Sequence, residues 1–172
     1  MMDNNDILRR LRYTFDFSEG EMAAIYSHTG ATIPRDTITA WLRRDEDPDF
    51  IPCPDVELAR FLDGFIIDRR GRKDGPQPAP EKKVSNNIIF RKLKIALNLQ
   101  AEGVLSILGR AGMTLGKSEL SAFFRRPGTR QYRQCKDQVL RNFLKGLQLK
   151  HRPALKLRLD KENPWGDSRR PH

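Results

Sequence analysis

The sequence predicts an all-α protein of two tandem four-helix modules, and three observations carry that expectation. The stretch from Asn86 to Leu149 repeats the stretch from Asn4 to Ile67 at a constant displacement of 82 positions, without a gap. Within each copy, apolar residues recur three and four apart, the period of a helix with one buried face. Between the copies the text turns charged and then proline-rich, from Arg69 to Pro80, with nothing to bury, as a linker does. A repeat of this length is a small domain rather than a solenoid unit. The expected layout is a first helical repeat over 1–70, a linker over 71–85, a second repeat over 86–150 and a basic tail over 151–172. With 172 residues and 38% hydrophobic content, the chain can fill one good core or two modest ones, and the duplication favours two.

Helix one is expected to open at Asn4-Asn5-Asp6, whose side chains can accept hydrogen bonds from free backbone N–H groups. It turns Ile7, Leu8, Leu11 and Phe15 inward as far as about Asp16, and the second copy repeats this with Ile89, Phe90, Leu93 and Leu97. Ser18-Glu19-Gly20-Glu21 has the spacing of a capping box, so helix two starts there. Met22, Ile25, Tyr26 and Thr29 form its inner face, and Gly30 is placed to end it in a left-handed conformation. Pro34 suits the first turn of helix three, which turns Ile38, Trp41 and Leu42 inward, or Leu120, Phe123 and Phe124 in the second copy. Its outward stripe is Arg35, Thr39 and Arg43 in the first copy and Lys117, Ser121 and Arg125 in the second. A loop follows, acidic as Asp45-Glu46-Asp47-Pro48-Asp49 and free of carboxylates as Pro127-Gly128-Thr129-Arg130-Gln131. Helix four starts near Pro54 and Asp55 and buries Leu58, Phe61, Leu62 and Phe65, echoed by Leu140, Phe143, Leu144 and Leu147. In the tail, Ala154 to Leu159 alternates apolar and basic residues, a strand period.

Lys and Arg number 32 against 22 Asp and Glu, a formal net charge of +10, which is the balance of a protein whose partner carries phosphate. The charge is unevenly divided. Residues 1–75 hold 11 basic and 15 acidic side chains, a net of −4, which leaves 21 basic and 7 acidic in residues 76–172, a net of +14. No apolar run is long enough to cross a membrane, and Met-Met-Asp-Asn-Asn is not the start of a leader, so a cytoplasmic protein without a membrane partner is expected. Two cysteines without nearby histidines support neither a disulfide framework nor a zinc site, and His28, His151 and His172 are scattered. No metal or cofactor is expected.

Certain motifs are more specific. Asn-Asn-x-Ile opens both copies, at Asn4 and Asn86; Ala40-Trp41-Leu42-Arg43-Arg44 ends helix three; and Cys53-Pro54-Asp55 precedes Phe61-Leu62-Asp63-Gly64. The second copy reads Cys-x-Asp-Gln-x-Leu-Arg-x-Phe-Leu-x-Gly-Leu from Cys135 to Leu147. In these motifs, over roughly residues 3–150, the chain resembles the YehS-like family of small bacterial proteins with a duplicated domain of unknown function. The resemblance implies a helical bacterial protein and supplies no catalytic or binding residue.

The residues themselves nominate a surface. Arg125, Arg126, Arg130, Arg133, Lys136 and Arg141 form the densest cationic region, and the loop from 126 to 133 leads into a helix start, where free N–H groups and the helix dipole attract phosphate. With Lys117 and Ser121 they are the candidate nucleic-acid-binding residues. Helices two and three, with a glycine at their joint, resemble a helix-turn-helix whose second helix could enter a major groove, although the joint is longer than in that motif. An ordinary helical bundle with a solvated polar face accounts for the same pattern. Cys53 and Cys135 stand at helix starts, where a thiol can become reactive, but a small buried side chain fits them better. Trp41 and Phe123 fall on apolar faces and belong to the core, which leaves Tyr132 and Trp165 as aromatics exposed beside arginines.

The expected function is non-enzymatic nucleic-acid binding, double-stranded DNA above single strands or RNA, through the basic second repeat. The rival is a protein-interaction adaptor whose oppositely charged repeats bind each other, another copy of the chain or a protein partner. No enzyme is expected, since paired carboxylates, triad spacing, a phosphate loop and a metal cluster are all missing from the text.

Overall fold

The structure, a computed structural model, describes residues 2–152. Its elements keep the displacement of the sequence repeat at every helix start. α1 spans Asn4–Phe15, α2 Glu19–Ser27, α3 Arg35–Leu42 and α4 Asp55–Arg70; α5 spans Asn86–Ala96, α6 Ala101–Arg110, α7 Lys117–Phe123 and α8 Asp137–His151. Asn4 and Asn86, Glu19 and Ala101, Arg35 and Lys117, and Asp55 and Asp137 are each 82 apart, because an ungapped repeat has no insertion to absorb a change of fold. The described residues form helices and connections without a strand. The alternating segment 154–159 and Trp165 lie outside them.

The start of helix one departs from expectation. Asp3, not the asparagines, caps α1 by accepting from the Asn5 N–H at 2.8 Å, and Ser85 caps α5 by accepting from the Ile88 N–H at 3.2 Å. Asn4 and Asn5 sit inside the first turn, buried, and reach the loop that precedes α4. Asn5 Nδ2 donates to the Trp41 and Ile51 carbonyls, both at 2.9 Å, and Asn5 Oδ1 accepts from the Cys53 N–H at 3.0 Å. Asn4 Nδ2 donates to the Cys53 carbonyl at 3.0 Å and to Asp55 Oδ1 at 2.7 Å. The second copy repeats every bond: Asn87 joins the Phe123 and Arg133 carbonyls and the Cys135 N–H, and Asn86 joins the Cys135 carbonyl and Asp137. The reason is accounting. These groups, the last-turn carbonyls of α3 and α7 and the loops beyond them, have no partner within a helix, and a buried polar group left unpaired costs about 1–3 kcal/mol.

Cys53 and Cys135 are held at the same clamp, buried, and burial pushes each thiol up to about 12. They are packing residues. The capping box of α2 forms as its spacing predicts, with Glu21 N–H to Ser18 Oγ at 3.0 Å and Ser18 N–H to Glu21 Oε1 at 3.1 Å. α2 lies on α4 and α6 on α8. These helices approach so closely that a Cβ on Gly64 would overlap the Ile25 carbonyl oxygen, and one on Gly146 the Ile107 carbonyl oxygen.

The expectation of two separate cores is corrected. One contiguous apolar cluster takes in both copies, because α4 packs on α5 and α8 packs back on α1, two seams that bury apolar faces neither module covers alone. The seams are reciprocal. At the end of α4, Arg70 Nη1 donates to the Ile95 carbonyl at 3.3 Å and to Asn98 Oδ1 at 2.5 Å; at the end of α8, Arg152 Nη1 donates to the Tyr13 carbonyl at 3.0 Å and lies 3.4 Å from Asp16 Oδ1. Asp16 and Asn98, with φ of 55° and 54°, are the left-handed residues after α1 and α5, so each module's last arginine closes the other module's first helix. The seam between α4 and α5 carries a central ion pair, in which Lys92 bridges Asp63 at 2.5 Å and Glu81 at 3.0 Å. At the equivalent place Lys145 replaces Asp63, and Arg10 turns instead to Asp6 on its own helix, at 2.8 Å. The linker is tied down at its far end, where Val84 is buried and its N–H donates to Asp55 Oδ2 at 3.0 Å.

Three measurements check this packing. Gly146→Ala should lose roughly 3 kcal/mol in urea unfolding through overpacking, whereas Gly109→Ala, in the same copy and with open space around its Cβ, should gain about 0.5–1 kcal/mol. Asn87→Ala should cost about 3 kcal/mol, and the near-isosteric Asn87→Asp at least as much, since a carboxylate has no N–H for two carbonyls; an unchanged Asp variant would refute the clamp. A thiol reagent at pH 7.5 should label neither cysteine until the protein unfolds; rapid labelling of the native chain would contradict their burial.

Candidate nucleic-acid interface

The eight nominated residues are all exposed, and they lie on one continuous stretch. Lys117 and Ser121 are on α7; Arg125, Arg126, Arg130 and Arg133 are in the connection to α8; Lys136 precedes α8 and Arg141 lies on its second turn. The clamp holds this connection, because Asn87 binds the backbone at Phe123 and at Arg133, on either side of the loop. Arg133 also donates from its backbone to the Ala122 carbonyl at 3.1 Å. The side chains therefore hang from a backbone fixed at both ends.

The same loop backbone exists in copy one with the opposite charge. Thr129 N–H to Arg126 carbonyl and Tyr132 N–H to Thr129 carbonyl, each 3.2 Å, reproduce Asp47 to Arg44 and Phe50 to Asp47, each 3.0 Å. Copy one neutralises its arginines locally: Arg9 lies 3.5 Å from Asp45, Arg10 2.8 Å from Asp6, Arg43 3.2 Å from Asp47 and Arg60 2.7 Å from Glu57. The positions of those four carboxylates in copy two are Ile88, Pro127, Thr129 and Val139. Among the described residues, the side chains of Arg125, Arg126, Arg130 and Lys136 make no ion pair or hydrogen bond; of the four, Arg125 is the one whose counterpart in copy one, Arg43, has a carboxylate partner, and Thr129 stands where that partner was. Three of the eight are engaged. Lys117 pairs with Glu102 at 2.7 Å, Arg133 Nη1 folds back on the Tyr132 and Arg130 carbonyls at 2.9 and 3.2 Å, and Arg141 Nη1 donates to Gln138 at 3.3 Å.

The structure corrects two expectations, the single outward face of helix three and the open start of helix four, and keeps the long joint. α7 is seven residues long, about 10 Å at 1.5 Å per residue, and Arg125 lies beyond it, so the outward stripe of Lys117, Ser121 and Arg125 is not one helix face. The joint from α6 to α7 covers 111–116, with Gly112 left-handed at φ 82°, longer than the three or four residues of a helix-turn-helix. The start of α8 is also not an open anion site: Asp137 occupies the first turn, and its hydrogen bond from Asn86 holds its carboxyl below the ordinary range. The positive charge of this stretch therefore lies in its side chains.

Around this surface, Trp41 is buried and Phe123 half-buried against Phe90, as core residues. Tyr132 is half-buried. The acidic loop of copy one is turned to its own Arg9 and Arg43, and the modules meet through the helix seams. Among the described residues, no cluster of three or more His, Cys, Asp or Glu could hold a metal ion, and no helix is long and apolar enough to cross a membrane.

Comparison with known proteins fits this duplicated plan. The chain is 37% identical over 148 residues to the "Uncharacterized protein YehS" of Escherichia coli (strain K12), an alignment covering 85% of this chain and 94% of that protein. No solved structure matches. Matching the family described as "Protein of unknown function (DUF1456)" over residues 4–71 and again over 86–152, the chain belongs to that family and carries its domain twice.

Proposed function

We propose that the protein binds nucleic acid without enzymatic chemistry, double-stranded DNA in preference to single strands or RNA, through the α7–α8 connection of its second module. The observation that carries the reading is the pair of loops with one backbone and opposite charge. Holding the fold does not require the cations, since copy one builds the same turn with carboxylates beside its arginines. Removing four carboxylates while keeping or adding basic residues costs self-repulsion, and a polyanion repays it by neutralising the charge. Arg125, Arg126, Arg130 and Lys136 would contact the backbone phosphates, with Arg133 released from its carbonyl partners and Arg141 turned from Gln138 and Asp137 to join them. Lys117, exposed and paired with Glu102, and Ser121 flank the patch. Such contacts position the protein on the duplex and give modest sequence discrimination.

Salt dependence tests the proposal on the full chain, because residues 76–172 alone would uncover the seams that α1 and α4 close. With about four to six phosphate contacts, the log–log slope of affinity against salt on random duplex DNA should be near −4 to −5. Arg126→Ala with Arg130→Ala should flatten it by about two units, whereas Arg43→Ala with Arg44→Ala should change it less, the Asp45–Asp49 loop already repelling phosphate there. If duplex, single strand and RNA all give no salt-dependent binding, the proposal fails and a protein partner for the charged modules becomes the reading to pursue.

A further inference from the structure

The duplication exposes a second difference, at the opposite end of α8. In copy one, the space beside the end of α4 is filled with rings: Phe15 and Phe17 stack with centroids 5.7 Å apart, Phe15 meets Phe65 at 5.3 Å, and His151 closes on Phe15 at 4.9 Å. The positions 82 residues after the three phenylalanines are Leu97, Leu99 and Leu147. Three rings are replaced by three shorter side chains on the same helical plan. A cleft of about 440 Å³ stands in their place, within the ~300–1,000 Å³ range of small-molecule sites. Ala96, Leu97, Leu99, Ile107 and Leu147 floor it, and Arg69, Arg70, Lys150 and His151 form its rim.

Charge changes with shape. Where copy one has Asp16 and Asp68, the cleft has Asn98 and Lys150, and none of the described residues lining it is acidic. Asp68 itself faces His28 at 3.1 Å. Arg70 bonds neutral acceptors, the Ile95 carbonyl and Asn98 Oδ1, and Arg69 lies over the Phe15 and Phe65 rings at 5.1 and 5.4 Å. Among the described residues the rim is thus cationic, with no carboxylate lining the cleft. The His151 imidazole reports the same field, held below its ordinary range by burial and then by the charges of Lys150 and Arg69.

The geometry points to this cleft as a binding site for a small amphipathic anion, its apolar body on the leucine floor and its carboxylate or phosphate group at the rim of Arg69, Arg70 and Lys150. A leucine floor alone would accept a neutral hydrocarbon. The arginine and lysine rim adds charge-assisted hydrogen bonds that select the anion. The site is separate from the α7–α8 connection, since Lys136 precedes α8 and Lys150 is near its end, roughly 20 Å along the helix at 1.5 Å per residue.

Methyl NMR on the full chain tests it with three probes of one chain length: octanoate, octyl phosphate and neutral octanol. Octanoate or octyl phosphate should shift the Leu97, Leu99, Ile107 and Leu147 methyls saturably at millimolar concentration, and whichever binds tighter identifies the headgroup. Octanol should bind at least about tenfold more weakly. Leu97→Phe with Leu147→Phe, which installs rings that copy one already accommodates at Phe15 and Phe65, should abolish the shifts at Leu99 and Ile107. Should that double variant fail to fold, Lys150→Asp on the exposed rim carries the test, with an expected loss of at least about tenfold in anion affinity. No saturable shift with either anion, octanol binding as tightly as the anions, or affinity unchanged in Lys150→Asp would overturn the proposal.

Discussion

Two adjacent asparagines at the start of each module bind the loop on which the rest of the architecture depends. An amide side chain offers donors and acceptors together, so Asn5 can bond a carbonyl in the last turn of α3 and a carbonyl and an N–H of the loop beyond it. This ties α1 to the end of α3 and to the start of α4 before any apolar contact is counted. The cysteines, the buried ends of α3 and the first turn of α4 all take their positions from it. A hydrophobic pair at the same places could fill the volume but would leave the loop groups unpaired, which is why the polar residues sit among some of the most buried of the chain.

The second organising constraint is that neither module covers its own surface. α4 needs α5 and α8 needs α1, and the chain meets both needs by placing the copies about a rough two-fold, as a homodimer would. Arg70 and Arg152 show the reciprocity most directly, each closing the first helix of the other module. A fused pair is free of the identity that a homodimer imposes, and its two seams have diverged. One contains the partly buried Lys92–Asp63 pair, in which burial still leaves the Asp63 carboxyl above its ordinary range despite the lysine beside it. The other has Lys145 in the place of Asp63 and has dispensed with the bridge.

The copies have diverged both at the surface and in the core while keeping one backbone plan. Paired carboxylates in copy one give way to Ile88, Pro127, Thr129 and Val139, and three phenylalanines give way to leucines, while the clamp and the close glycine contacts persist in both copies. Each copy thus serves as the reference for the other. A charge or a void present in one copy on a backbone shared by both is not a requirement of folding, and that comparison supports both the phosphate-binding reading of the α7–α8 connection and the ligand reading of the cleft.

The repeat, the helix count and the helix starts were all legible in the text, because an ungapped displacement and a three-to-four-residue apolar period are local patterns that survive without coordinates. So was the cationic stretch from Lys117 to Arg141, since charge and exposure go together on any helical surface. Asn4 and Asn5 were read as caps, because a sequence shows an acceptor beside a helix start but cannot show a carbonyl 36 or 46 residues away that needs a donor. The single core, the crossed arginines and the bond from Asn86 to Asp137 required the tertiary structure for the same reason: each is a meeting of groups distant in sequence. The change from Phe15, Phe17 and Phe65 to Leu97, Leu99 and Leu147 was visible in the aligned copies. Whether smaller side chains leave a cleft or are closed over by their neighbours depends on packing in three dimensions, and only the structure decided it.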